Sequence, residues 1–270
     1  MPNLVNRLMN KIKRVPWVFK QPITRLPQNN LAKISDLFVW RCCKDWQTSF
    51  ELLNLANLFG ETNDCQAEVY FFNMQGEVFH SQTVEFYKGD RQILNISEVL
   101  TDNFQVSVIG EFGTFAIFHS RTPKIVTKLK SFIAERGYIS YNYKKSALSS
   151  YVHGNLDAIE KSNNTLSLLG GVSFLPREYC LQYQFLPNFE YDIVLTNPCL
   201  KVQNMNIRIV SFSTNKVINV SQVSIMPKGS FVYHIKNLST HSRMIIHSKM
   251  IMARPVIFAT KGNNMDVFHG

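Results

Sequence analysis

The run Met205-Asn206-Ile207-Arg208-Ile209-Val210-Ser211-Phe212, followed by Val217-Ile218-Asn219-Val220-Ser221-Gln222-Val223-Ser224-Ile225 and then Phe231–Ile235, decides the fold class. Met205, Ile207 and Ile209 alternate with Asn206 and Arg208. A strand sends successive side chains to opposite faces, so this period of two reads as half-buried β-structure. Its β-branched residues suit a pleated surface. Pro227-Lys228-Gly229 supplies a turn before the third segment. The same grammar extends in both directions. Upstream lie Ala67–Phe72, Val78–Phe86, Phe104–Ile109, Thr114–Phe118, Tyr138–Tyr143 and Tyr191–Leu195; downstream lie Met244–Ile246 and Pro255–Phe258. Turn residues punctuate them at Asn73-Met74-Gln75-Gly76, Lys88-Gly89-Asp90, Asn197-Pro198 and Lys261-Gly262-Asn263. Strands at spacings of ~8–12 residues predict an all-β, mainly antiparallel chain.

The pattern runs twice. A shift of 140 aligns Phe72 with Phe212, Ser81-Gln82 with Ser221-Gln222, Lys88-Gly89 with Lys228-Gly229, and Ile117-Phe118 with Ile257-Phe258. Each half closes on His-Gly, at His153-Gly154 and His269-Gly270. The expectation is two tandem β-sandwich domains, with a single extended sandwich as the alternative. The divisions are a basic N-terminal arm over 1–36, a first sandwich over 37–160, a linker over 161–177 rich in Ser, Asn and Gly, and a second sandwich over 178–270.

Two helices are expected beside the strands. Thr122 caps and Pro123 opens a segment whose apolar face is Ile125, Val126, Leu129, Phe132 and Ile133, closing at Arg136-Gly137. This is the inserted helix of the first half. Trp46–Leu58 is ambiguous between helix and strand. The second helix lies in the arm, where Leu4, Val5, Leu8, Met9 and Ile12 form an apolar stripe opposite Arg7, Lys11 and Arg14. Pro16 ends it, and Trp17 and Phe19 follow. Either this stripe lies on an anionic membrane surface through Leu4, Leu8, Lys11, Arg14 and Trp17, or it packs on the protein's own body.

The chain has 270 residues, 45% of them hydrophobic, and a formal charge of +10, of which +6 falls in residues 1–40. That composition excludes global disorder and favours anionic partners without naming one. No run reaches the ~18 apolar residues of a spanning helix. The five cysteines fit neither a zinc pattern nor a redox pair and read as reduced thiols. With no apolar core of a signal peptide at the N-terminus, the expectation is a cytoplasmic protein, peripheral at the inner membrane face.

The richest candidate site is Arg136–Asn155. Tyr138, Tyr141, Tyr143, Tyr151, His153 and Asn155 offer aromatic faces beside amide and imidazole groups, a set that suits a sugar ring and its hydroxyls. Against this, tyrosine is also common in half-buried strands. The two His-Gly ends add His269, which meets His153 if the halves pack about a two-fold axis. Arg254 either clamps an anion or pairs with Asp266. No His-x-His spacing supports a metal site, and no Gly-x-Ser-x-Gly elbow or nucleotide-binding glycine loop is present. No metal, cofactor or catalytic residue is therefore assigned.

Two stretches carry a resemblance. The second half, with Asp192–Leu195, Thr196-Asn197-Pro198 and the later Ser248 to Arg254-Pro255, resembles the small bacterial β-sandwich family typified by the sensory rhodopsin transducer. The first half, with Ala134-Glu135-Arg136-Gly137-Tyr138 and Tyr151-Val152-His153-Gly154-Asn155, is similar to uncharacterised bacterial proteins of surface-polysaccharide gene neighbourhoods. The resemblance implies a ligand-binding or accessory sandwich for carbohydrate and carries over no catalytic residue. The leading expectation is thus a non-enzymatic binding or accessory protein in surface-polysaccharide metabolism, with a carbohydrate or glycoconjugate ligand. It could act as a homo-oligomer. The alternatives are a nucleic-acid binder and a metal-dependent enzyme that uses the histidines.

Overall fold

A computed structural model describes residues 33–270 except 55–56, 58, 61–65, 87–90, 106–108, 121–123, 125–133, 136, 145, 147, 155–157, 182 and 252–253. The amphipathic arm, with Leu4, Leu8, Lys11, Arg14 and Trp17, lies outside the described residues, as does Asn155.

In chain order the strands are β1 (Lys33–Ser35), β2 (Phe38–Arg41), β3 (Trp46–Leu53), β4 (Gln66–Phe72), β5 (Val78–Glu85), β6 (Arg91–Asn95), β7 (Phe112–His119), β8 (Ala134–Glu135), β9 (Tyr138–Tyr143) and β10 (Ser150–His153). They continue as β11 (Ile159–Ser162), β12 (Thr165–Leu168), β13 (Val172–Cys180), β14 (Glu190–Thr196), β15 (Gln203–Ser211), β16 (Val217–Ile225), β17 (Ser230–Ile235), β18 (Ser242–Met250), β19 (Val256–Lys261) and β20 (Asn264–His269). One short helix, α1 (Ile96–Asn103), follows β6.

These strands make five four-stranded sheets: I (β12-β11-β1-β8), II (β2-β7-β4-β5), III (β10-β9-β3-β6), IV (β17-β14-β19-β20) and V (β13-β18-β15-β16). All pairings are antiparallel except β1 with β8. The all-β, mainly antiparallel expectation holds. The two tandem β-sandwiches do not: the body is a five-bladed, propeller-like array of sheets packed face against face. None of the blades is a simple meander of four consecutive strands.

The physical reason is burial on both faces. Along β14, Tyr191, Ile193 and Leu195 enter one apolar cluster with sheet V, while Val194 enters another with sheets II and III. In β19, Ile257 and Ala259 go one way and Val256 and Phe258 the other. Sheet II behaves likewise, with Phe115 and Ile117 facing sheet III and Ala116 and Phe118 facing Ile159 and Leu168 of sheet I. Uninterrupted apolar runs such as Ile193-Val194-Leu195 are the signature of strands covered on both sides. A free-standing sandwich would leave one face of each sheet wet.

Residues 161–177, expected as a linker, carry β12 and the start of β13. The expected inserted helix falls largely outside the described residues, and at its end Ala134–Glu135 is strand β8. Trp46–Leu53 resolves as strand β3. The described helix α1 was expected as no element, and Phe104, expected to begin a strand, is its C-cap. Its signal is Asn95-Ile96-Ser97-Glu98: the Asn95 side chain accepts the Glu98 N–H at 3.3 Å.

Strand order repeats between the halves. Sheet II (β2-β7-β4-β5) has the connectivity of sheet V (β13-β18-β15-β16), and sheet III read as β6-β3-β9-β10 has that of sheet IV (β17-β14-β19-β20). The halves meet through equivalent strands. Ser150 Oγ donates to Asp266 Oδ1 at 3.2 Å and the His269 ring contacts the His153 carbonyl at 2.7 Å, both across an offset of 116 residues.

The seam is locked by Arg41 at the end of β2. Its guanidinium is largely buried, 4.2 Å from the Trp46 ring centroid, 4.7 Å from Phe112 and 4.9 Å from Phe258. One Nη donates to Asp192 of β14 at 2.6 Å, and Asp192 also receives His234 at 2.6 Å. Removing one member of a buried ion pair strands the other charge. Asp192→Asn is expected to cost about 3 kcal/mol of stability, read as a lower urea midpoint at unchanged slope, whereas His234→Asn, at the exposed end, costs less than ~1 kcal/mol.

Candidate functional site

A groove of about 1000 Å³ lies on the outer face of sheet V. Its floor is built by period two. Asn204 and Asn206 on β15, and His247 and Lys249 on β18, point outward while Met205, Ile207, Ile246 and Met250 fill the core. In register, Glu178, His247, Asn206 and Gln222 form one row across all four strands. Beside this row Arg208 pairs with Glu178.

Each wall has a local cause. On one side the segment Leu200-Lys201-Val202-Gln203 is tied by Asn197, which is fully buried. Its amide donates to Lys201 O at 3.0 Å and Ile225 O at 2.8 Å and accepts the Cys199 N–H at 2.8 Å. On the other side β13 bulges. Val172 pairs with Met250 and Arg177 with Ser248, so four residues of β13 oppose Lys249 alone. Pro176 lies in that bulge and lines the groove. Gly170 closes the corner because its N–H donates to Pro198 O at 2.8 Å, and a Cβ there would sit 2.5 Å from that oxygen.

The groove exists because the repeat is unequal. In the first half the matching outer face of sheet II is covered by sheet I through Phe72, Ala116 and Phe118. Among the described residues sheet V has no such cover. Its lining holds Lys201 and Lys249 and no carboxylate. The last hundred residues contain ten Lys and Arg against four acids, and the acids are engaged: Glu178 with Arg208, Glu190 with Lys236, Asp192 with Arg41, and Asp266 with Ser150.

The sequence-derived site residues lie elsewhere and are only partly brought together. Tyr141 is fully buried, its hydroxyl donating to Val39 O at 2.7 Å and its ring edge-on to Phe258 at 4.9 Å. Burial pushes that phenol up, away from ionisation. Tyr141 is thus a core residue, not a ligand contact. Tyr143 packs on Trp46 at 4.8 Å, half-buried. Tyr138 and Tyr151 are exposed, with Tyr138 edge-on to His153 at 6.5 Å. The two His-Gly ends do meet, with ring centroids of His153 and His269 5.3 Å apart, and Arg254 stands near His269. They border a cavity of about 20 Å³, the size for a single water. At Gly154 a Cβ would lie 1.8 Å from Asp36 Oδ2, which explains the glycine there. Asp266, the partner considered for Arg254, takes the Ser150 hydroxyl. No metal-holding cluster is found among the described residues. Among them, too, no helix is long and apolar enough to cross a membrane.

Sequence reasoning missed the groove. Its signal was present at the start of the deciding run, where Asn206 and Arg208, with Asn204 just before it, share one face.

No known family profile and no curated protein matches the chain. Solved structures that do match are capsid structures of infectious bursal disease virus. The Gt strain structure is 10% identical over 86% of this chain and 58% of its own, at a TM-score of 0.16. The VP2 subviral particle is 10% identical over 82% and 56%, at 0.15. This chain spans little more than half the length of those proteins, and likeness at that score carries no argument. Nothing among these matches speaks for the sensory rhodopsin transducer family.

The His153–His269 corner responds to pH through His269. Burial, with Arg254 and His153 nearby, lowers its pKa below the ordinary 6.5 despite its bonds to backbone carbonyls. Above about pH 6.5 the imidazole is neutral in folded and unfolded chains alike. As pH falls below that, the unfolded chain takes a proton that the folded one resists, so stability drops until the folded pKa is passed. The thermal midpoint is expected to fall between about pH 7 and pH 5, and less steeply in His269→Gln.

Proposed function

We propose that this protein is a non-catalytic binding protein that holds an acidic, hydroxyl-rich glycan along the outer face of sheet V. The observation that carries the reading is the lining of the groove: amides of Asn204 and Asn206, the His247 imidazole, two lysines, aliphatic walls and no carboxylate. A side-chain amide both donates and accepts, as vicinal hydroxyls require. Val172, Leu200 and Val202 suit the C–H faces of sugar rings, and Lys201 and Lys249 suit carboxylate or sulfate substituents. The volume falls within the usual range for ligand sites. This reading keeps the carbohydrate ligand expected from sequence and moves it from the Tyr141–His153 region to sheet V.

A second reading, nucleic-acid binding, is favoured by the charge of the arm together with that of the last hundred residues. One titration series separates the two. Oligogalacturonate, a neutral maltooligosaccharide and a single-stranded oligonucleotide are compared by calorimetry at several salt concentrations. The expected result is binding of oligogalacturonate only, weakened about fivefold or more in Asn206→Ala and in Lys249→Ala. Equal affinity of parent and variants overturns the groove assignment. Tighter oligonucleotide binding with a steep salt slope establishes the second reading instead.

A further inference from the structure

Resting on the groove assignment proposed above, we infer that the bound glycan alternates acidic rings with neutral, N-acetylated ones, because the outer face of sheet V carries two adjoining subsites of different charge.

The groove does not stop at the Asn206–His247 pair. A second concavity of about 440 Å³ lies beyond it, and the same two side chains line both. Register sets the order. Asn204 pairs with Ser224, Asn206 with Gln222 and Arg208 with Val220, so successive outward positions of β15 run from the first hollow into the second. At ~3.3 Å per residue, Asn204 and Arg208 stand about 13 Å apart. Such a track suits consecutive rings of a chain better than a single ring.

The first subsite is rich in donors and positive. Ser224 Oγ donates to Asn204 Oδ1 at 2.6 Å, so Asn204 presents its NH2 to a ligand. Lys201 and Lys249 line the same hollow, and among the described residues neither ammonium is in an ion pair. Cations and donors without an acid fit a ring that bears a carboxylate.

In the second subsite the charge is cancelled. Arg208 pairs with Glu178 at 2.5 Å. Gln222 offers a donor and an acceptor, and Val220, 59% exposed, offers apolar surface beside it. An acetamido substituent matches both, its amide on Gln222 and its methyl on Val220. A second carboxylate here faces Glu178, and like charges repel. Asn206 and His247, shared by the two hollows, serve hydroxyls of both rings.

The experiment is calorimetry on the full chain with two probes of equal length. Hyaluronan hexasaccharide has acid on alternate rings and N-acetyl groups between them; hexagalacturonate has acid on every ring. The overall +10 favours hexagalacturonate, which carries twice the charge, so a preference for hyaluronan has to come from the subsites. The parent is expected to bind hyaluronan hexasaccharide about fivefold more tightly. Gln222→Ala is expected to weaken hyaluronan about fivefold and leave hexagalacturonate unchanged. Glu178→Gln frees Arg208 and turns the second subsite positive, so hexagalacturonate tightens about fivefold and the preference disappears. The Arg208–Glu178 pair is largely exposed, so the fold survives its loss, read as an unchanged thermal midpoint. Hexagalacturonate that binds the parent as tightly as hyaluronan does, or a preference unaltered in Glu178→Gln, overturns the alternation and leaves the groove assignment standing. Binding of neither probe overturns both.

Discussion

Sheet IV can exist only because both its faces are covered, and the rest of the architecture follows from that constraint. Phe258 shows how it works. One ring on β19 receives Trp46, Phe112 and Tyr141 edge-on at 5.1, 5.9 and 4.9 Å, gathering residues of sheets II and III onto sheet IV. Fully burying an aromatic side chain contributes roughly 1.5–3 kcal/mol, so this junction alone matters on the scale of a whole fold's stability. Arg41 fills the remaining gap among the same rings. Its charge is tolerable there because Asp192 meets it and three aromatic faces surround it. The two halves of the chain are therefore joined as one would join blades, by shared core rather than by a tether.

The repeated strand order ends in an asymmetry between the two halves. Two sheets, II and V, share one strand connectivity. Sheet I covers one with Ile159 and Leu168. On the other, Asn204, Asn206, His247 and Lys249 face outward and line the groove. One sheet of this connectivity is thus packed under sheet I, and the other carries an open groove.

How far the sequence was legible follows the range of the forces involved. Strand type was readable because period two is local: Met205–Phe212 and Val217–Ile225 became β15 and β16 with little change at their ends. The meeting of His153 with His269 was also readable, from the shared His-Gly endings. The stacking of five sheets was not read, although the apolar runs at Ile193–Leu195 and Val256–Ala259 signal two covered faces. Tyr141 was misjudged for a related reason. A tyrosine between Ser140 and Asn142 looks like surface, and only a distant partner, the Val39 carbonyl, makes its hydroxyl a core group. The groove needed strands 40 residues apart to line up Asn206 with His247, and no local pattern reports that.

Sheet I sets a delay on the ribosome. Ile34 of β1 lies opposite Ala134 on one side and Glu160 on the other, partners that are synthesised 100 and 126 residues later. At roughly 5–20 residues per second, β1 leaves the exit tunnel and waits about 5–25 s before either neighbour exists. Sheet II faces a shorter version of the same interval, since Phe38 pairs with Phe115. During that time the apolar side of sheet II has nothing to lie against, and the nascent chain depends on whatever shields it until translation catches up.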